Sequence, residues 1–375
     1  MSVLQVLPSL FGGGVERGTV EIAEAITAAG HRALVASSAG GMIRDIEKAG
    51  ADYFRLPLRR KNPWIIWRNI ERLSRLIEGE KVDVVHARSR APGWSALYAA
   101  RRTGRPFVTT IHGAYGAGSA LKRAYNSVMM RGDVVIAISD FVRDHALATY
   151  SGLDPDRIRV IHRGVDTSQF RPGNVPAARL IQLSRAWMLP DGAPVILLPG
   201  RMTRLKGHEV LIRALAASSH DEAVLVFVGA DEGREKYKLE LRKLATAAGV
   251  GDRVRFTGHC RDMTAAYSLA SVVVSASIKP EGFGRTAVEA QAMGRPVIVT
   301  DHGGGRETVL HRETGLRVPP GDHAAMAAAI DEVLAMSQED RDTIAERAVE
   351  HVQAKFSLDL MKQQTLDVYR ELLPA

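Results

Sequence analysis

Two loops in the second half of the chain carry cations, glycines and carboxylates at spacings suited to a phosphate and a sugar. Arg201 and Lys206 lie five positions apart in Gly200-Arg201-Met202-Thr203-Arg204-Leu205-Lys206-Gly207, directly after the apolar run 195–198. On a strand-to-helix loop the two can converge on a diphosphate, the guanidinium as a bidentate fork and the ammonium as a point charge. Solvated surface charge is the plainer reading of the same pair. The second loop, residues 279–289, holds Glu281, Gly282, Phe283, Gly284, Arg285 and Glu289. Glycines before a helix leave N–H groups and the positive helix end open to phosphate oxygens, while the carboxylates can accept from sugar hydroxyls. The alternative is a first-turn acid at Glu289 that complements the helix dipole, with a loop acid at Glu281.

In the first half, Gly12-Gly13-Gly14 follows an apolar run and precedes a helical pattern with Glu16 near its start. It reads either as a phosphate loop or as a tight turn. The Gly-x-Gly-x-x-Gly spacing is incomplete, because Gly18 falls one place past its last glycine. His112 ends the run 107–111, a position where chemistry collects, although a lone histidine is more often structural. Arg88 and Arg90 follow the run 83–86 and can grip an acidic acceptor.

These loops need strands to position them. Apolar runs at 3–7, 33–36, 83–86, 107–111, 134–138 and 158–161 alternate with helical patterns, and runs at 195–198, 224–228, 254–256, 272–275 and 297–299 repeat the plan. Such alternation predicts two parallel α/β sheets. A length of 375 residues favours two domains over one core. Pro172, Gly173, Pro176, Pro190, Gly192 and Pro194 mark a linker around a short helix. The expected organisation is a first domain at 1–175, a second at 176–355, and a terminal helix at 356–375 that can pack back on the first.

Composition narrows the classes. Apolar residues at 46% and charged residues at 25% describe a globular chain. With Cys260 alone, no disulfide and no cysteine zinc site can form within the chain. No leader sequence is visible, and no apolar run approaches the roughly 20 residues that cross a bilayer. The net charge of +8 resides in residues 1–175, which hold 25 Lys and Arg against 16 Asp and Glu. Arg55, Arg59, Arg60, Lys61, Arg68, Arg72 and Arg75 surround Trp64-Ile65-Ile66-Trp67. Indole beside basic residues suits an anionic membrane surface; a helix packed through Ile66, Ile70, Leu73 and Ile77 is compatible with it. Zinc motifs and aromatic RNA-binding motifs are missing, so nucleic acid is not an expected partner. Asp154-Pro155-Asp156 and Asp340-Arg341-Asp342 fall in a turn and beside a helical segment, not after strands, so no metal is expected.

The pairing of Gly-Arg-x(4)-Lys-Gly at 200–207 with Glu-x(7)-Glu at 281–289 resembles retaining glycosyltransferases of the GT-B fold, family 4. The resemblance spans nearly the whole chain. Residues 13–18, 86–92, 110–113 and 163–166 are similar to the lipopolysaccharide-core and related glycan branches. It implies two Rossmann-like domains facing each other across a cleft, with Arg201 and Lys206 on the donor diphosphate in place of a metal. It also implies that Glu289 holds the ribose, that Glu281 touches the donor sugar, and that Phe283, Gly284 and Arg285 supply backbone contacts. Gly229 and residues 259–263, Arg261 among them, would frame the base, and His112 would sit beside the reacting sugar. Gly13 and Gly14 join the expected donor contacts, and Glu16, Lys61, Arg88 and Arg90 the acceptor contacts. The implied reaction needs no cofactor and moves mannose from GDP-mannose, or a glucose-type hexose from a UDP-sugar, onto a glycolipid. Its expected place is the cytoplasm, at the cytoplasmic face of the inner membrane. The rivals are a UDP-sugar 2-epimerase and, from another class, an NAD-dependent oxidoreductase.

Overall fold

The structure is a computed structural model that describes residues 1–60, 62–116, 118–231 and 233–373. By its internal contacts the chain divides into two compact units. One is Met1–Gly164 together with the chain from Leu358 onward, and the other is Val165–Ser357.

The first unit holds a seven-stranded parallel sheet in the order β3-β2-β1-β4-β5-β6-β7. Its strands are β1 Ser2–Val6, β2 Arg32–Ser37, β3 Asp52–Arg55, β4 Val84–Ala87, β5 Phe107–Ile111, β6 Val134–Ala137 and β7 Ile158–Val160. The central strands are buried throughout, as a sheet covered on both faces requires. The helix Gly14–Ala28 turns Ile22, Ala23 and Ile26 onto the sheet and stops just before Gly30. Each such side chain, fully buried, contributes about 1.5–3 kcal/mol if it is a Val, Leu or Ile. The last helix, Leu358–Glu371, adds Met361, Leu366, Val368 and Tyr369 to this core. The helix Pro63–Gly79 begins with Pro63, is capped by the Asn62 side chain accepting from the Trp64 N–H at 2.9 Å, and buries Leu73 and Ile77.

The second unit holds a six-stranded parallel sheet in the order β10-β9-β8-β11-β12-β13. These strands are β8 Val195–Pro199, β9 Val224–Val228, β10 Val254–Gly258, β11 Val272–Ser275, β12 Val297–Thr300 and β13 Leu316–Val318. Ile196, Leu198, Leu211, Phe227, Ile298 and Ile330 lie in its core. Strands β3 and β13 are absent from the sequence reading. Both are outer strands paired on one side only, and polar residues interrupt their apolar signal.

The division at Gly164 and Val165 lies ahead of the Pro- and Gly-rich stretch 171–194. That stretch belongs to the second unit because its helix, Ala177–Ala186, is fastened there. Arg179 donates to Asp262 through Nε at 2.8 Å and Nη2 at 2.5 Å. Among the described residues, no helix is long and apolar enough to cross a membrane.

Candidate functional site

In the second sheet, β9 and β10 lie on one side of β8 while β11, β12 and β13 lie on the other. Loops leaving the carboxyl ends of β8 and β11 therefore diverge and open the crevice where such sheets bind ligands. Arg201 and Lys206 lie on the loop after β8, Ser277 and Glu281 follow β11, and His302 follows β12. Lys206 Nζ donates to both Glu281 oxygens, at 2.7 and 2.8 Å. The Ser277 hydroxyl donates to Glu281 Oε1. Burial opposes ionisation of Glu281, but attraction to Lys206 and the hydrogen bonds from Lys206 and Ser277 hold its pKa below the ordinary value. His302 Nε2 sits 2.7 Å from the Ser277 carbonyl and 2.9 Å from Thr300 Oγ1, bracing the β11 loop.

Two residues expected on different parts of a donor are thus coupled to each other. Arg201 is exposed, with no side-chain hydrogen bond or ion pair among the described residues. Arg204 turns away, to Glu209 at 2.6 Å, to Glu240 and over the Tyr237 ring. The loop after β8 therefore carries, among the described residues, an unpaired guanidinium at Arg201 and, at Lys206, a cation neutralised by Glu281.

The helix Arg285–Ala292 starts behind Gly284, whose φ of 92° is left-handed. Glu289 on this helix is 7% exposed and is held at both oxygens. Tyr267 Oη donates to Oε2 at 2.8 Å and Arg285 Nε to Oε1 at 3.1 Å. Phe283 is buried, its ring edge-on to Phe356. Gly229 meets the β8 loop backbone to backbone. A Cβ there would stand 1.8 Å from the Gly200 carbonyl oxygen, so no other residue fits. Arg261 is exposed, next to Asp262, which caps the helix Met263–Leu269.

In the first sheet the order reverses between β1 and β4. Gly13, Gly14 and Glu16 follow β1, Arg88 follows β4, and His112 follows β5. Arg163, 6% exposed, donates through Nη2 to the Gly14 carbonyl and lies 3.9 Å from Glu21. A Cβ on Gly18 would stand 2.5 Å from Arg163 Nη1. Gly18 therefore makes room for a guanidinium, not for a pyrophosphate. Glu16 folds back toward Gly13, with Oε2 2.8 Å from where a Cβ on that glycine would lie.

Arg88 is buried, and burial lowers its pKa, with Tyr369 and Glu21 opposing. His86 is wholly buried between the Tyr369 hydroxyl, 2.6 Å from Nδ1, and Thr110 Oγ1, 2.7 Å from Nε2. His112 Nε2 is shielded from solvent and finds no hydrogen-bond partner among the described residues. Burial, then the charges of Arg88 and Arg163, hold His112 well below the ordinary histidine value, so the ring is neutral at neutral pH. Arg90 stands apart from Arg88, donating to Asn126 Oδ1 at 3.0 Å and stacking on Tyr115 at 4.4 Å. Lys61 lies outside the described residues. The sequence reading missed Ser277, His302, Tyr267 and Asn126. Strand-end position is a signal that could have marked the first two; nothing local marks the others.

Residues 182–351 match the family model described as Glycosyl transferases group 1, and residues 12–169 match that described as Glycosyltransferase Family 4. D-inositol 3-phosphate glycosyltransferase 1 of Catenulispora acidiphila is 35% identical over 66% of this chain and 63% of its own length. Seven further relatives named D-inositol 3-phosphate glycosyltransferase are covered over 67% to 72% of their lengths. A glycosyltransferase crystal structure from Rickettsia africae superposes with a TM-score of 0.93 at 36% identity, covering 99% of this chain and 98% of that one. HepE of Anabaena, solved with UDP-glucose, superposes with a TM-score of 0.86 at 23% identity, covering 99% and 100%, and shares the fold.

Proposed function

The chain belongs to the group 1, family 4 glycosyltransferases, and from that premise we propose a retaining, metal-independent transfer of a hexosyl group from a UDP-sugar to a hydroxyl of a surface glycolipid. The observation that carries this reading is the crevice between β8 and β11, where Lys206, Glu281 and Ser277 converge at a reversal of strand order and Arg201 shares the β8 loop with Lys206. Arg201 and Lys206 would take the donor diphosphate and neutralise the leaving nucleotide, the role a divalent ion fills elsewhere. Lys206 keeps an N–H to give, because an ammonium has three donors and Glu281 draws on it as one clamp. The bond from the anomeric carbon to the leaving phosphate oxygen breaks, the acceptor oxygen bonds on the same face, and the acceptor proton passes to the leaving phosphate. Glu281 would accept from a sugar hydroxyl. A buried polar atom without a partner is costly, and a sugar hydroxyl would relieve that cost at His112 Nε2. Its neutral ring favours a hydrogen-bonding role over charge stabilisation.

The UDP-glucose held by HepE favours a UDP donor over GDP-mannose. A membrane-borne acceptor, of the lipopolysaccharide-core class or a similar one, at the cytoplasmic face of the inner membrane, draws support from Trp64 and Trp67. Both are 61% exposed, their rings stack at 5.3 Å, and Arg68 lies over Trp64. The name of the curated relatives favours a second acceptor, a small polyol phosphate.

A thermal-shift series with UDP, GDP, CMP and NAD, each with and without EDTA, tests the donor. At 100 times Kd a ligand adds about 2.7 kcal/mol, a shift of several degrees. UDP should give that shift with EDTA present. A shift with NAD alone would replace the transferase by an oxidoreductase, and conversion of UDP-sugar without acceptor would replace it by an epimerase.

A further inference from the structure

Resting on the transferase reading, we propose that a pocket at the first turn of the helix Arg90–Arg102 is an anion site that holds a phosphate group of the acceptor. The pocket has a volume of about 480 Å³, and Ser9, Arg59, Ser89, Arg90, Lys122 and Asn126 are among its lining residues. Among the described residues, three cations line it and no carboxylate does. Elsewhere in this unit arginines stand against acids: Arg32 with Asp52 and Glu80, Arg75 and Arg102 with Glu71, Arg143 with Asp140 and Asp144. Arg59, Arg90 and Lys122 have no such partner among the described residues, and their uncompensated charge concentrates positive potential in a concave site.

The cations are also positioned. Asn126 is fully buried, accepts from Arg90 Nη1 at 3.0 Å and donates to the Gly116 carbonyl at 3.2 Å, while the Tyr115 ring stacks on the guanidinium. The Arg59 amide donates to Ser38 Oγ at 2.8 Å, and its guanidinium lies over Phe11. Ser89 caps the helix without a side-chain hydrogen bond, leaving its hydroxyl available. Two guanidiniums, an ammonium and serine hydroxyls match the oxygens of a phosphate monoester better than a flat carboxylate. The volume exceeds what phosphate alone needs, leaving space for the polyol or sugar that carries it. The donor diphosphate has its own cations on the loop after β8, so this pocket is left to the acceptor.

Inorganic phosphate is the probe, titrated calorimetrically into protein saturated with UDP so that the donor site is blocked. The double variant Arg59→Gln/Lys122→Gln should bind phosphate about tenfold or more weakly while its UDP affinity stays within about twofold, and its circular dichroism and melting temperature should match those of the unaltered protein, which certifies the fold of the unit that carries the substitutions. A variant of equal charge loss in the other unit, Arg213→Gln/Arg347→Gln, should bind phosphate as the unaltered protein does. Phosphate affinity within about twofold in the first variant, or an equal loss in the second, would overturn the site. Competition by phosphatidylglycerol vesicles, but not phosphatidylcholine vesicles, would identify a lipid headgroup as the source; no competition would identify a soluble phosphate, and either supports the anion site. Failure of UDP to bind the unaltered protein would count against the transferase reading alone, since phosphate binding is then judged without it.

Discussion

Lys206 and Glu281 neutralise each other at 2.7 Å in a half-buried crevice, so removing either strands the other. Charge-assisted hydrogen bonds are worth about 1.5–3 kcal/mol, which converts to about 10- to 100-fold in rate. Lys206→Ala and Arg201→Ala should each lower transfer by at least that factor in a steady-state assay with labelled donor. The Lys206 variant should also lose some fold stability, because it leaves a partly buried carboxylate without its cation, whereas exposed Arg201 should not. Turnover close to that of the unaltered protein in both variants would remove the donor-site assignment. Gly18 allows a different residue-scale test. Alanine there would collide with buried Arg163, and such overpacking costs about 1–3 kcal/mol. A Gly18→Ala melt at the unaltered temperature would show that Arg163 does not need that space.

At the scale of elements, the terminal helix Leu358–Glu371 is tied to the first sheet by a buried polar contact, Tyr369 Oη to His86 Nδ1 at 2.6 Å. Tyr369→Phe keeps the ring in the core and deletes the hydroxyl. His86 Nδ1 is then a buried orphan, which costs about 1–3 kcal/mol. Protease susceptibility and thermal melting should show the helix loosened, with UDP binding unchanged because the crevice proposed for the donor belongs to the other unit. Unchanged melting would mean that the apolar contacts of Met361, Leu366 and Val368 hold the helix unaided. The apolar period made this helix legible in the sequence. Its packing partner was not, because the hydrogen bond spans 283 positions.

For the whole molecule, three histidines contribute to the response to acid: His86 and His208, which are buried, and His112, which is partly buried with its Nε2 shielded. Burial lowers His86 and His112 well below their ordinary value, helped in each case by Arg88, and pushes His208 in the second unit down to about 4. The unfolded chain takes up these protons from about pH 6.5 downward while the folded chain refuses them, so stability falls as pH drops below that point. Melting temperature should decline from about pH 6.5 to about pH 4.5, and His208→Phe should flatten the decline for the second unit. A melting temperature that is constant or rises over that interval would contradict the neutral, buried state. By itself the sequence determined the two parallel sheets, most of their strands and the two loops that bear Arg201 to Lys206 and Glu281 to Glu289, because apolar period, glycine and charge are local properties of the chain. Edge strands β3 and β13 escaped it, since a strand paired on one side does not need a continuous apolar run. Only the tertiary structure decided that Lys206 faces Glu281 across 75 positions, that Arg88 is buried while Arg90 lines a pocket with Arg59 and Lys122, and that Gly18 clears a place for Arg163. Side-chain partners of that kind follow from which strand ends the sheet order brings together, and strand order is a property of the packed fold and not of any one segment.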